Sequence, residues 1–229
     1  MKYIMAFGAH SDDIDIRAGG TAAKYVDKGY GLVYVVVTTS ASGINGLSPN
    51  GSIKIRHGEA RKAAKLYGTE PVFLDFHQCV YPPGKTDRLP KGNICISQAS
   101  DNEKTIRMVT NLILKYKPEI ILTHCTDDLH EDHYHTSALV YIAYKRIQKT
   151  LTSARLWLWP SGSRGSIIEF KPNKFVDIEN YLAAKDRAIK EHKSQCARSP
   201  RLRTIAIKNA KFWGNKCRFR LAEAFIEVK

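Results

Sequence analysis

Two short clusters hold the side chains with the clearest capacity for chemistry. One is Ala9-His10-Ser11-Asp12-Asp13 and the other is His130-Glu131-Asp132-His133. Together they supply three imidazoles (His10, His130, His133) and three aspartates (Asp12, Asp13, Asp132). A catalytic zinc takes three nitrogen or oxygen donors from a protein, keeps one position for water, and lowers the pKa of that water to about 7. A spare carboxylate beside the ion can accept the water's proton, and a spare histidine can protonate a departing amine. The six groups suffice for all these roles, so the residues alone point to a metal-dependent hydrolase. Each cluster by itself is a weak signal, because loops after strands are polar in any case and a His-x-x-His at a helix start more often faces solvent.

Their value rises when the elements around them are read. Residues 3–9 are almost continuously apolar, as a buried parallel strand requires. Ala18–Lys28 reads as a helix stopped by Gly29, and Gly31–Thr39 as a valine-rich strand. Residues 40–52 are a loop, Ile53–Tyr67 a helix and Pro71–Phe76 a short strand. Residues 77–100, with Pro82-Pro83-Gly84, Pro90 and Gly92, form a long irregular segment of the kind that is often functional. Ser100 and Glu103 have capping-box spacing and open a helix to Tyr116 with Ile106, Val109 and Ile113 on one face. Glu119–Thr123 is a fourth strand, and the second cluster leads into a helix to about Lys149. This alternation predicts a mainly parallel sheet with helices on both faces. Both clusters then lie just past strands one and four, at the carboxyl edge where such sheets bind ligands. The last third adds strands at Leu156–Trp159 and Phe175–Ile178, a helix over Glu179–Gln195 and a strand at Ala222–Val228. No linker divides the chain, which reads as one domain over residues 1–229.

Composition narrows the classes further. The net charge is +14, and residues 185–229 carry 13 of the 36 basic residues against four acidic ones. Core-type residues (Leu202, Ile205, Ile207, Phe212, Trp213) are interleaved with these bases, which argues for a solvated basic face over a disordered nucleic-acid arm. Five cysteines without a CxxC pair fit free thiols better than a disulfide framework or thiolate zinc site. There is no membrane span and no secretory signal, so a cytoplasmic protein is expected. The glycine fingerprint of a dinucleotide site is missing after strand one, where His10 stands instead. Gly19-Gly20 reads as close helix–strand packing. Trp157, Trp159 and Trp213 read as core or interface.

At the two clusters the chain resembles the PIG-L/LmbE family of zinc N-deacetylases. Ala9-His10-Ser11-Asp12-Asp13 followed by Gly19-Gly20 is similar to the family's Ala-His-Pro-Asp-Asp-Glu motif with its glycine pair. His130-Glu131-Asp132-His133 is similar to its His-Pro-Asp-His. The first phrase is nearest to the bacillithiol-biosynthesis branch, which deacetylates N-acetylglucosaminyl-malate. Arg56-His57-Gly58-Glu59, Phe175-Val176-Asp177-Ile178 and Ala222-Glu223-Ala224-Phe225 extend the resemblance over nearly the whole chain.

The resemblance implies a Rossmann-like doubly wound fold and hydrolysis of the acetamide of an amino sugar or its glycoside. It implies zinc, with iron(II) able to fill the same site, held by His10, Asp13 and His133. Asp12 would be the general base, His130 the general acid or oxyanion partner, and Asp132 the residue that orients or charge-tunes His130. Arg56 corresponds to an arginine near the sugar, Asp128 to a recurrent acidic position, and a homo-oligomer is expected. Arg17 departs from the small residue usual there and is a candidate to grip an anionic substrate group. The segments 77–100 and 160–173 also depart from the pattern and point to an acceptor other than the malate glycoside. The competing expectations are an amidase for larger sugar-amide conjugates and a non-enzymatic basic module for nucleic acid. The second leaves both clusters idle.

Overall fold

The computed structural model describes residues 1–79, 94–161, 165 and 168–228. Its strands are β1 (Tyr3–Gly8), β2 (Gly31–Thr38), β3 (Val72–Phe76), β4 (Ile120–His124), β5 (Arg155–Trp159), β6 (Lys174–Asp177) and β7 (Ala222–Glu227). They form one seven-stranded sheet in the order β3-β2-β1-β4-β5-β7-β6. Strands β1 to β5 pair in parallel, while β7 runs antiparallel to both β5 and β6.

Side-chain alternation along the strands creates two cores. Ile4 and Ala6, Leu32, Tyr34 and Val36, Ile120 and Leu122, and Trp157 and Trp159 turn to one face. There they meet α1 (Asp13–Asp27), α2 (Pro49–Lys65), α6 (Leu182–Glu191) and α8 (Leu202–Cys217). Met5 and Phe7, Val33, Val35 and Val37, Ile121, and Leu156 and Leu158 turn to the other face, under α3 (Ile96–Ser100), α4 (Glu103–Tyr116) and α5 (Glu131–Ile147). Burial on both faces is why the central strands are apolar at every position rather than every second one. From β1 the chain moves outward to β2 and β3, then crosses back to place β4 on the other side of β1. The order therefore reverses between β1 and β4, and a crevice opens beyond their carboxyl ends.

Several boundaries differ from the sequence expectation. Helix α1 begins at Asp13 rather than Ala18, and the glycine pair lies inside it. Acidic Asp13 and Asp15 in its first turn suit the positive end of the helix dipole, which compensates for the poor helix propensity of the glycines. Helix α2 begins at Pro49 rather than Ile53, with Ser48 as its cap accepting from the Gly51 amide. The cap of α4 is Asn102, whose side chain accepts from Lys104 and Thr105, not Ser100. The helix expected over Glu179–Gln195 divides into a 3-10 turn at 179–181, α6 and the short α7 (Lys193–Arg198). Helix α8 was not anticipated, because Arg203, Lys208, Lys211 and Lys216 break up its apolar periodicity. The basic last third is thus folded structure. Among the described residues no helix is long and apolar enough to cross a membrane.

The glycine pair does serve close packing. A Cβ on Gly20 would stand 2.8 Å from Ile178, a fully buried side chain just past β6. The Gly20 and Thr21 amides donate to the Glu223 carboxylate of β7 at 3.0 and 2.7 Å, and Lys185 of α6 reaches the same carboxylate at 2.5 Å. Gly20→Ala is therefore expected to destabilise by about 1–3 kcal/mol through overpacking. At this chain size that lowers the melting temperature by roughly 2–10 °C, measurable by scanning calorimetry. An unchanged melting temperature would show that Ile178 yields freely.

A second tie holds α5, which carries half of the site. Glu103 of α4 accepts from Arg146 of α5 at 2.8 and 2.7 Å and from Arg107 at 2.7 Å. The bonds from Arg146 and then Arg107 hold its carboxyl down to about 2. A lowered carboxyl contributes stability above its unfolded value near 4.5 and loses it as pH falls through about 2. The melting-temperature gap between wild type and Glu103→Gln should accordingly be largest above pH 4.5. It should close toward pH 2 and shrink in high salt, because the pair is exposed. A gap independent of pH would contradict this.

Candidate active site

The loop after β1 is pinned through its backbone. Thr38 donates to the Ala9 carbonyl from both its amide (2.9 Å) and its hydroxyl (2.7 Å). The Ala9 amide donates to Nε2 of His124 at 3.0 Å, the His10 amide to Oδ2 of Asp13 at 2.6 Å, and the Ser11 amide to Oγ of Ser40 at 3.1 Å. Tyr34 donates from its hydroxyl to the Ser11 carbonyl at 2.9 Å. The second cluster is fixed by Asp128, whose Oδ1 accepts from the His130 amide at 2.9 Å just before α5 begins. Asp132 and His133 thus fall in the first turn of α5, facing β1.

The adjacency of β1 and β4 brings the two clusters into contact. Nδ1 of His10 lies 3.3 Å from Oδ2 of Asp13 and 3.3 Å from Nε2 of His133, and Nε2 of His133 lies 3.6 Å from Oδ1 of Asp13. Donors 2.0–2.1 Å from a tetrahedral zinc are separated by about 3.4 Å, close to these spacings, with Asp13 meeting the two histidines through different oxygens. The outward nitrogens are also held as metal-binding imidazoles require. Nε2 of His10 meets Oδ2 of Asp132 at 3.0 Å, and Nδ1 of His133 meets Oδ2 of Asp128 at 2.9 Å. Burial works against a charge on His10, yet Asp13 and Asp132 raise its imidazole to about 10. Burial likewise opposes ionisation of Asp13, but the charges of His133, His10 and His124 hold its carboxyl well below the usual range. The site favours positive charge at the centre of the triangle.

Two further donor sets overlap the first: His10, His130 and His133, and Asp13, His124 and His133. His124 stacks on His133 with ring centroids 4.1 Å apart, and its Nε2 lies 3.4 Å from Oδ2 of Asp13. Donors point at both of its ring nitrogens, Trp159 being 3.1 Å from Nδ1. Burial and then the charge on His133 push it down to about 4, which leaves the ring neutral. His124 is the last residue of β4. It is packed, and it also forms the back wall of the donor cluster. Its place at the last residue of β4 was the only signal.

Asp132 acts on His130 through its charge, while its hydrogen bonds go elsewhere. Asp132 is fully buried and bonds His10, the Gln78 side chain (3.2 Å) and the Cys79 amide (2.6 Å), not His130. It positions His10, and only its charge reaches His130. His130 stacks on His133 at 4.3 Å, and its Nδ1 is buried without a partner among the described residues. Burial, His10 and His133 lower His130 to about 4.

Asp12 and the two arginines occupy distinct places. Arg56 is buried, and its guanidinium donates to Oδ1 of Asp12 at 2.5 Å. Its polar head is therefore engaged with a carboxylate of the site as well as lining the crevice. Arg17 is half-buried and has no hydrogen bond or ion pair among the described residues. Burial lowers its pKa from the ordinary value despite Asp13, Asp128 and Asp12 nearby.

The crevice is a cavity of about 930 Å³. His10, Asp12, Asp13, His130, His133, Arg17 and Arg56 all face it, whereas His124, Asp128 and Asp132 stand behind. An ion on His10, Asp13 and His133 would thus have its open side toward the cavity. Trp157 and Trp159 are core, as expected, but Trp213 lines the cavity, contrary to expectation. Of the segments expected to select substrate, residues 80–93, 162–164 and 166–167 lie outside the described residues.

Fold and site together define an α/β protein with a His/Asp cluster that could hold a metal ion at the switch point of its sheet. The chain belongs to the PIG-L family, described as GlcNAc-PI de-N-acetylase, whose profile matches residues 5–144. It is 25% identical to diacetylchitobiose deacetylase of Thermococcus kodakarensis over 94% of this chain and 80% of that protein. It is 29% identical to the uncharacterized deacetylase YaiS of Escherichia coli over 84% of this chain and 91% of the other. Its fold also matches that of GalB, the 4-carboxy-2-hydroxymuconate hydratase of Pseudomonas putida. That match has a TM-score of 0.78 and 19% identity, and it covers 100% of this chain and 97% of that one. At that identity the likeness reaches the fold alone.

Proposed function

We propose that this protein is a metal-dependent N-deacetylase that hydrolyses the acetamide of an N-acetylated amino sugar or its glycoside, with zinc as the metal and iron(II) able to replace it. The observation that carries the reading is the triangle of His10, Asp13 and His133 with Asp12 beside it on the cavity wall. Family membership and the deacetylases among its relatives support the same reading.

When bound, a divalent ion supplies Lewis acidity and hydroxide at neutral pH. Asp12 then accepts a proton from the attacking water through the carboxylate oxygen that Arg56 leaves free. The water oxygen bonds to the amide carbon, and His130, with its unpaired nitrogen, donates to the developing oxyanion. The C–N bond breaks with its electron pair going to nitrogen, which takes the proton that Asp12 removed from the water. The acid's remaining proton passes to the amine, and the products are acetate and a protonated amine. Arg56 holds Asp12 in place, Asp132 holds His10, and Asp128 holds His133.

The test is acetate release from N-acetylglucosamine and its glycosides by the zinc-loaded protein, alongside loss of absorbance from an unsaturated hydroxy-tricarboxylate. Acetate release that disappears with a chelator and returns with zinc supports the deacetylase. Hydration of the double bond without acetate release replaces it with a hydratase.

A further inference from the structure

We propose that Cys79 and Cys95 are a redox modification site, a thiol pair that closes reversibly to a disulfide and in doing so loosens the grip of Asp132 on His10. The disulfide stands independently of the deacetylase reading. Its effect on metal binding rests on a cation being held at His10, Asp13 and His133.

Two backbone bonds set the frame. The His77 amide donates to the Ile94 carbonyl at 3.0 Å, and the Ile96 amide donates to the His77 carbonyl at 2.8 Å. The chain leaving β3 is thereby clamped beside the start of α3, whose cap residue is Cys95. Across this clamp the sulfurs of Cys79 and Cys95 lie 3.4 Å apart, although sixteen positions separate them in sequence. A disulfide has its sulfurs about 2.0 Å apart, so closure needs a movement of about 1.4 Å. The other thiols are placed differently. Cys196 and Cys217 donate to the Ile189 and Trp213 carbonyls at 3.4 and 3.1 Å, and Cys125 is buried just past β4.

Both members of the pair are half-buried, which leaves them open to a small oxidant. Their surroundings assign the order of attack. Burial, the bond from Cys95 and the charge of Asp132 push the Cys79 thiol up to about 12. It therefore stays protonated at neutral pH, and the thiolate is the attacking form. Attack falls to Cys95, whose sulfur accepts from the Ser97 hydroxyl at 3.2 Å. With a small-molecule disulfide as oxidant, the Cys95 thiolate bonds to one of its sulfurs and expels the other as a thiolate. That thiolate takes the Cys79 proton, and the Cys79 sulfur bonds to the Cys95 sulfur and expels the second small thiolate. The two protein thiols lose two electrons and two protons, and the small disulfide leaves as two thiols.

The pair is two hydrogen bonds from a corner of the donor triangle. The Cys79 amide donates to Oδ1 of Asp132 at 2.6 Å, and Oδ2 of Asp132 holds Nε2 of His10 at 3.0 Å. Drawing Cys79 toward Cys95 takes its amide from a fully buried carboxylate, which then re-seats on its remaining partners. Disturbing the group that orients a metal-binding imidazole costs about 10–100-fold in affinity. Asp132 keeps the bond from Gln78, so the lower end, about 10-fold, is expected.

The experiment incubates the whole protein with oxidised glutathione and maps its disulfides by mass spectrometry. A crosslink between the Cys79 and Cys95 peptides is expected, reversed by dithiothreitol, with the count of reactive thiols falling by two from five. Zinc affinity, read by competition with a chelating dye, should fall about 10-fold on oxidation and recover on reduction. Cys95→Ser should form no crosslink and keep the affinity of the reduced protein in the presence of the oxidant. Serine caps helices well, so this variant keeps α3. In the metal-free protein the Cε1–H resonance of His10, assigned through His10→Gln, should move on oxidation in wild type and stay in place in Cys95→Ser. The proposal is overturned if glutathione remains as a mixed disulfide without a crosslink. It is equally overturned by a crosslink that leaves zinc affinity unchanged. If neither state binds zinc, the metal reading falls and the His10 resonance decides the coupling. A shift on oxidation then upholds it, and no shift removes it.

Discussion

His133→Ala is expected to yield a folded protein without bound metal, with hydrolysis reduced at least about 10³-fold. The size of the effect follows from the geometry. Nε2 of His133 is one corner of the donor triangle, and its Nδ1 is tied to Asp128 at 2.9 Å. Removing the ring leaves two donors, which do not hold a zinc against water, and leaves Asp128 buried without this partner. Loss of a buried charged partner costs about 3–5 kcal/mol, so stability must be read beside activity. Asp128→Asn supplies the control, since it keeps all three donors and alters only the group that orients His133. Metal affinity should then fall by only about 10–100-fold. Metal content by plasma mass spectrometry, circular dichroism and acetate release, measured together on both variants, separate the effects. Full metal content and activity in His133→Ala would show that the cation does not need this ring, against both overlapping donor sets, each of which includes it.

The second large effect is expected at Asp12. Asp12→Asn should lower kcat by about 10²–10⁴-fold while metal content and fold stay as in wild type. Asparagine keeps an oxygen acceptor for Arg56 and the shape of the loop, but it cannot accept a proton. The loop itself is held by bonds from Thr38, Ser40 and Tyr34 to Ala9 and Ser11, none of which uses the Asp12 side chain. The loss should therefore appear in kcat with little change in KM. A variant within tenfold of wild type would remove Asp12 from proton transfer and leave it as an anchor for Arg56 alone.

The alternation of apolar runs and helical periods in the first 150 residues was enough to read the parallel sheet and its two helical layers. Burial on both faces writes itself directly into strand composition. The His and Asp residues were legible for a related reason, since polar side chains of these types just past two strands lie where an α/β sheet exposes its ligand edge. Element boundaries were less legible where local signals competed. The glycine pair obscured the start of α1, and Ser100 offered a plausible cap two residues before Asn102, the true one.

Three-dimensional proximity decided the rest. The resemblance implies that Asp132 orients or charge-tunes His130, and across the β1–β4 contact the carboxylate also bonds His10 of the other cluster. Arg56, which the resemblance places near the sugar, lines the crevice, and its guanidinium also closes on Asp12. Helix α8 was hidden in a basic tail, and which of its faces is buried depends on Arg220 and the sheet beneath it. Local residue types and spacing determined which chemical groups this chain has and at which edge of the sheet they gather. Pairings between segments more than a hundred residues apart were settled only by the tertiary structure, because each depends on strand order and on which face of a helix meets the core.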